Sequence, residues 1–353
     1  MMVFCTLFNS NYLDKGLLMY RSLILSGCDF RMYVLSMDLK SKEVLDSFKY
    51  KNITTISIED FVEQCGLEKV RKTRSIGEFC WTCTSFLIDY VLSVYNESIC
   101  TYVDADLYFY KNPKCLIDEM GDKTVQIVEH RHNPTMLGKI SHAAAGTYCV
   151  EFNTFKNTVD SMNLLQWWKD KCYESCTISG GENSVWGDQG YLEQWGEKSY
   201  VSILKNLGGG MAPWNIVQYQ LVSSEGDIIV KKKKSKEEFS IVFYHYHNIS
   251  YYSEHEANVG VFEPWLEDRA LVKLLYTRYL KELDKIKNEL RDKFDISPLL
   301  KSHPGITKGE ESPKRRLTER IKTIDSLLIP KLYKKLIGKR KLKKYEHYNI
   351  ISF

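Results

Sequence analysis

The sequence has no window of about 18 uncharged apolar residues, the minimum a helix needs to cross a bilayer. Its opening, MMVFCTLF, carries no basic leading segment and no small-residue cleavage site, so the expectation is neither a signal peptide nor a transmembrane helix. No internal repeat is visible. The ten cysteines are scattered, many of them in apolar segments, without the density of a disulfide framework, and read as reduced thiols in a cytosol. Cys80-x-x-Cys83 and Cys172-x-x-x-Cys176 have the spacing of a four-thiolate zinc site, but each pair falls in an amphipathic stretch where Cys serves as a small core residue. Positive charge is scarce in the body. Residues 312–345 hold thirteen Lys and Arg against Glu319 and Asp325, which leaves 36 basic and 43 acidic residues elsewhere out of totals of 49 and 45. The excess therefore belongs to the C-terminal segment, and a nucleic-acid partner for the body is not expected.

With 353 residues, 44% of them hydrophobic, the chain can bury a large α/β core and carry an appendage, and it is not a disordered protein. Strand-like and helix-like segments alternate through the first half, the pattern of a mostly parallel sheet with crossover helices. Expected strands are Val3–Phe8, Met32–Met37, Ile53–Ile58, Ile99–Tyr108, Val125–Glu129, Tyr148–Phe155 and Val201–Leu204. A hairpin is expected between Ile228–Val230 and Ile241–Tyr246, with the lysine run Lys231 to Lys234 as its solvated tip. Helices are expected over Tyr12–Ser26, capped by Gly27, over Cys80–Tyr95 and over Val159–Tyr173. Residues 263–296 read as one long amphipathic helix, with Val272, Leu275, Tyr279, Leu283, Ile286 and Leu290 spaced by threes and fours. A linker over 297–313 and a basic amphipathic tail over 314–353 follow, leaving 1–262 as the main domain.

The stretch YVDADLYFY (102–110) sets two carboxylates, Asp104 and Asp106, on one face of an apolar strand. Burying unpaired charge costs several kcal/mol, so a counter-charge is called for. The acids follow Ile99–Val103, at the end of a strand where open α/β sheets bind ligands. Two oxygen ligands there suit a hard cation, Mg²⁺ or Mn²⁺, bridging to a diphosphate. The plain alternative is that the acids cap the turn before Asn112-Pro113.

Together with FYHYHN (243–248), this stretch resembles the metal-dependent glycosyltransferases of the GT-A fold, closest in layout to retaining glycosyltransferase family 8, the glycogenin and lipopolysaccharide galactosyltransferase type. In that family a D-x-D follows an apolar strand, and the His of a late H-Y-x-G is the third metal ligand. The resemblance implies a GT-A (Rossmann-like) mixed sheet flanked by helices, and the metal set Asp104, Asp106 and His245. His247, on the same strand face, is the alternative ligand. The start VFCTLFNSNYLDKGLLMYRSL looks like the family's nucleotide-binding first strand and helix, which carries Thr6, Leu7 and Tyr12 over as nucleotide-sugar contacts beside Asp104 and Ala105; Tyr12 can equally be a core aromatic. In RKTRSIGEFCWT a basic residue near the diphosphate is implied: Arg74, with Arg71 as alternate, or a solvated face for either. WGDQGYLEQW resembles the family's D-Q-x-x-x-N segment beneath the reactive sugar carbon, which makes Asp188 and Gln189 the catalytic candidates. Asp188 can stabilise an oxocarbenium-like centre in a retaining enzyme or serve as a base in an inverting one. Asn248 stands where the family has Gly, and no K-P-W follows the His, so no lysine is assigned to the diphosphate. A Pro-Trp occurs earlier, in NLGGGMAPWN.

The expectation is thus a metal-dependent hexosyltransferase acting on a nucleotide diphosphate sugar, UDP-linked by preference and retaining by inclination. Its acceptor would be a glycan or glycolipid at the inner face of a bacterial membrane, which the basic tail would grip through anionic lipid. A sugar nucleotidyltransferase would need a Gly-rich basic loop after the first strand, where this chain has FNSNYLDKG. A membrane-surface adaptor on an inactive scaffold would leave the acids and histidines without a role.

Overall fold

The computed structural model describes residues 1–177, 186–263, 267–301 and 350–352. The chain opens with β1 (Met2–Phe8), α1 (Leu13–Leu25), β2 (Phe30–Ser36), α2 (Leu39–Phe48), β3 (Ile53–Ser57), α3 (Ile58–Cys65), α4 (Glu68–Thr73), α5 (Ile76–Ser93) and β4 (Ile99–Val103). After β5 (Leu107–Phe109) come α6 (Lys114–Asp118), β6 (Val125–Glu129), α7 (Met136–Ala145), β7 (Tyr148–Lys156), α8 (Val159–Glu174) and β8 (Val201–Ile203). The remainder is β9 (Tyr219–Ser223), β10 (Ile229–Lys232), β11 (Glu238–Ser240), β12 (Phe243–His245), β13 (Ser250–Ser253), β14 (Glu256–Asn258), α9 (Arg269–Phe294) and β15 (Ile350–Ser352).

Seven strands form the main sheet in the order β3-β2-β1-β4-β7-β6-β8. Only the pairings of β7 are antiparallel; its neighbours β4 and β6 run with the rest. Alternating side chains of β1 feed two separate cores. Phe4 and Phe8 join α1, β5, β12 and α9 on one face, while Val3, Cys5 and Leu7 join α3, α5 and α8 on the other. The winding reverses between β1 and β4, and that switch point opens a crevice beyond the carboxyl ends of the strands. All ten cysteines are free thiols.

Two strand expectations are corrected. Ile99–Tyr108 is not one strand: β4 stops at Val103, the acids turn through residues 104–106, and β5 resumes at Leu107. The hairpin from Ile228 does not run to Tyr246 either. It reaches Ile241, whose amide donates to the Ile228 carbonyl at 3.0 Å, and β10 pairs with β11. Beyond that point Val242 and Phe243 donate to the Gly208 carbonyl, and β12 pairs antiparallel with β5 in the register Phe243↔Phe109, Tyr244↔Tyr108 and His245↔Leu107. Gly208 of NLGGGM serves this close approach of one backbone to another, because a Cβ there would stand 2.4 Å from the Ser240 carbonyl oxygen.

The long helix predicted at 263–296 is α9, opened by Asp268, which accepts hydrogen bonds from the Ala270 and Leu271 amides. It is part of the main core. Leu271, Leu275, Leu280, Leu283 and Ile286 are each at most 1% exposed, and a fully buried side chain of this kind stabilises by roughly 1.5–3 kcal/mol. Tyr276 and Tyr279 of α9 pack on Tyr244 and Tyr246, with Tyr279 stacked on Tyr246 at 3.6 Å between centroids. The helix thus props up the strand that carries His245. Among the described residues no helix is long and apolar enough to cross a membrane. The tail expected at 314–353 lies outside the described residues except for β15, which pairs with β14; Leu317, Ile321 and the surrounding basic residues fall in the part not described.

Candidate active site

The β5–β12 pairing brings the two carboxylates and the late histidine together. The Asp106 carbonyl accepts the Tyr246 amide at 2.8 Å, and the His245 amide donates to Met211 at 2.8 Å, so the backbone fixes both side chains. His245 Nε2 then lies 3.0 Å from Asp106 Oδ1 and 3.6 Å from Asp104 Oδ2. On its other side Nδ1 is 2.6 Å from Oε2 of Glu151, a residue of β7 that is fully buried. Tyr102 donates its hydroxyl to Asp104 Oδ1 at 2.9 Å. The Trp214 ring stands edge-on to His245 and His247, with centroids 5.2 and 5.6 Å away.

The electrostatics follow from this crowding. Burial works against the charge of His245, but Asp106 overrides it and the histidine pKa is raised well above its ordinary value. Burial also opposes the charge of Asp106, yet the His245 cation and its hydrogen bond win, and that carboxyl is held low. Asp104 goes the other way: burial lifts it to about 7, with the Asp106 charge adding to the rise and His245 opposing it. Burial, and then the charge of His245, lowers His247 to about 4, although its ring reaches the cleft surface. Three carboxylates, of Asp104, Asp106 and Glu151, around one imidazole leave an excess of negative charge, which makes a place for a cation. Donor atoms of Asp106, His245 and His247 lie within 4.8 Å of one another, with Asp104 alongside His245, and Glu151 aims Nε2 at the carboxylates, so the residues fit a hard divalent ion. A second group, Cys149, Glu151 and His245, meets the same spacing but is wholly buried, and its Glu151 is already engaged with His245.

Asp104, Asp106, His245, His247 and Trp214 line a cleft of about 430 Å³ at the sheet's switch point. Leu7 and Tyr12 line it after β1, together with Asp104, Ala105 and Asp106, and with Asp188 and Gln189. Asp188 is buried, and burial followed by the Asp104 charge raises its pKa to about 8. The Gln189 amide nitrogen donates to the Ala145 carbonyl at 2.9 Å, and among the described residues its carbonyl oxygen has no hydrogen-bond partner.

Three of the residues expected at the site fall elsewhere. Thr6 is fully buried in β1 and does not line the cleft. Arg74 does not reach it: the guanidinium bonds Thr82 and the carbonyls of Cys172 and Tyr173, tying α5 to the end of α8. Arg71 pairs with Glu59 at 3.0 Å on the surface. The buried cation near the cleft is instead Lys15, one turn on from Tyr12, with Nζ 3.9 Å from the Tyr12 ring centre and close enough to Asp106 for their charges to interact. Sequence reasoning missed both Glu151 and Lys15. YCVEFNTF, an acid inside an apolar strand, carries the same signal as the D-x-D and could have identified Glu151.

This sheet order, with the D-x-D at the switch point, is that of the GT-A fold, the architecture expected from family 8. The galactosyltransferase LgtC, solved with donor and acceptor sugar analogues, superposes with a TM-score of 0.51 at 12% identity, covering 83% of this chain and 100% of LgtC. Two Bacillus subtilis (strain 168) proteins, the uncharacterized YfnD and YfnF, are each 26% identical, YfnD over 294 residues (82% of this chain, 91% of YfnD) and YfnF over 253 (69% and 80%). No protein-family model matches the chain.

Proposed function

We propose that the protein is a metal-dependent glycosyltransferase that moves a hexose from a nucleotide diphosphate sugar, UDP-linked, to a hydroxyl of a glycan or glycolipid. The observation that carries this reading is the convergence of Asp104, Asp106 and His245 in one cleft that Asp188 and Gln189 also line. A divalent cation, Mn²⁺ or Mg²⁺, held by Asp104, Asp106 and His245 with His247 in reach, would neutralise the donor diphosphate. Glu151 orients the imidazole. Tyr12 offers the exposed ring on which a nucleobase can rest, and Lys15 behind it adds the positive charge that the absent K-P-W lysine leaves unfilled. The free carbonyl oxygen of Gln189 supports a retaining course, since an electron-rich atom under the sugar stabilises a cationic carbon. The acceptor is proposed to lie at the inner membrane face, approached through the basic segment 314–345. Incubation with Mn²⁺ and a panel of UDP-sugars, with free UDP measured, tests the reading. UDP release that chelation and Asp106→Asn both abolish is expected; release from no donor would overturn it.

A further inference from the structure

Glu151 orients His245 from a place sealed against water. Its Oε2 holds the imidazole Nδ1 at 2.6 Å, while Oε1 is cut off from solvent and, among the described residues, has no hydrogen-bond partner. With Nε2 given to a cation the imidazole is neutral, because a ligating nitrogen cannot also carry a proton. The buried carboxylate then needs a positive neighbour other than His245, since an unmatched charge in the interior is strongly unfavourable.

Arg131 stands where such a neighbour is needed. It lies two residues past the end of β6, the strand paired with the β7 of Glu151. The two side chains close on Gly210, where a Cβ would collide with Arg131 Nη2 and stand 3.2 Å from Glu151 Oε1. Gly210, at φ +76, has no side chain to part them. The arginine is also fixed in place. Its backbone is in the left-handed region (φ +49), which a residue other than glycine adopts only when its surroundings impose it. Gln218 donates to its carbonyl at 2.6 Å, and Nη2 donates to the Gly209 carbonyl. Nε and Nη1 are, like Glu151 Oε1, cut off from solvent with no partner among the described residues. Burial keeps the Tyr219 hydroxyl protonated despite the Arg131 charge, so that neighbour offsets none of it. A guanidinium with unused donors is suited to a carboxylate above any neutral acceptor.

We infer that Arg131 is the counter-charge of Glu151 and, through it, a positioning residue for His245: the guanidinium steadies the carboxylate, the carboxylate holds the imidazole, and the imidazole meets the metal. That role rests on the cation proposed for the cleft, and it gives Arg131 no contact with substrate.

The test is calorimetric titration of Mn²⁺ into the full chain at saturating UDP, run as a double-mutant cycle of Arg131→Gln with Glu151→Gln, each protein checked by thermal melt. Arg131→Gln keeps a donor for the Gly209 carbonyl and drops the charge. It is expected to weaken Mn²⁺ at least about fivefold in the wild-type background and less than about twofold once residue 151 is no longer charged. Arg131→Lys, which keeps the charge, is expected to bind Mn²⁺ more tightly than Arg131→Gln. Should Arg131→Gln fail to fold, Arg131→Met takes its place in the cycle with the same expectations. A merely structural role predicts equal losses in the two backgrounds and no advantage for lysine, and either result overturns the role of Arg131 alone. A wild-type chain that binds no Mn²⁺ with UDP present overturns the metal reading of the cleft, and this role with it.

Discussion

Replacing Glu151 by Gln removes one negative charge from the buried side of His245 while keeping shape and hydrogen-bonding capacity. In the wild type a 2.6 Å contact from Glu151 Oε2 holds Nδ1, so the imidazole presents Nε2 to the two aspartates. Carboxylates that orient a liganding histidine are worth about 10- to 100-fold in metal affinity, or roughly 1.4–2.7 kcal/mol. Glu151 is fully buried and its contact is short, which favours the upper half of that range. The assay is calorimetric titration of Mn²⁺ into the metal-free protein at saturating UDP, with a thermal melt of each protein to confirm folding. Glu151→Gln is expected to weaken Mn²⁺ by more than tenfold without losing the cooperative melt. A folded variant that binds Mn²⁺ within twofold of wild type would refute the idea that Glu151 orients a metal ligand.

His245→Ala is expected to weaken Mn²⁺-dependent UDP binding more than His247→Ala, since His245 approaches both aspartates and is anchored by Glu151; the reverse ranking in calorimetry would move the ligand to His247. Asp188 has a folded pKa of about 8 against 3.8 when exposed, so the folded state holds its proton more tightly, and this contribution to stability is complete below pH 3.8 and lost as pH rises through 8. Metal-free Asp188→Asn should therefore gain on wild type between pH 5 and pH 8.5, by on the order of 4 kcal/mol in denaturant melts; parallel pH profiles for the two proteins would contradict it. Changing Lys314, Arg315, Arg316, Arg320 and Lys322 to Gln is expected to abolish sedimentation with anionic liposomes at low salt. Substitution is preferred to truncation because β15 pairs with β14, and a wild-type protein that itself stays in the supernatant removes the membrane proposal.

Much of the sheet was legible because β1, β2, β3 and β6 are short apolar runs, and β1, β2 and β3 pair in parallel across single crossover segments. The D-x-D and His245 were legible as residue types out of place, acids and imidazoles inside apolar strands. What could not be read was the pairing that unites them. β12 leaves its own hairpin to join β5, more than 130 positions earlier, and that choice rests on Gly208 accepting the Val242 and Phe243 amides and on the tyrosines of α9. Arg74 misled for the same reason. A guanidinium near a cleft in sequence looks like a phosphate ligand, and only the fold shows the Cys172 and Tyr173 carbonyls, about a hundred residues away, that take its donors.

Everything proposed for the cleft depends on Asp104, Asp106 and His245 holding the cation that holds the donor diphosphate. Crystals grown with Mn²⁺ and UDP, measured at the manganese absorption edge, test this directly. The expected result is one strong anomalous peak in bonding contact with Asp106 and His245, touching the UDP phosphates on its open side. A peak within the Cys149, Glu151 and His245 group instead, or UDP bound in the cleft with no manganese beside it, would contradict it.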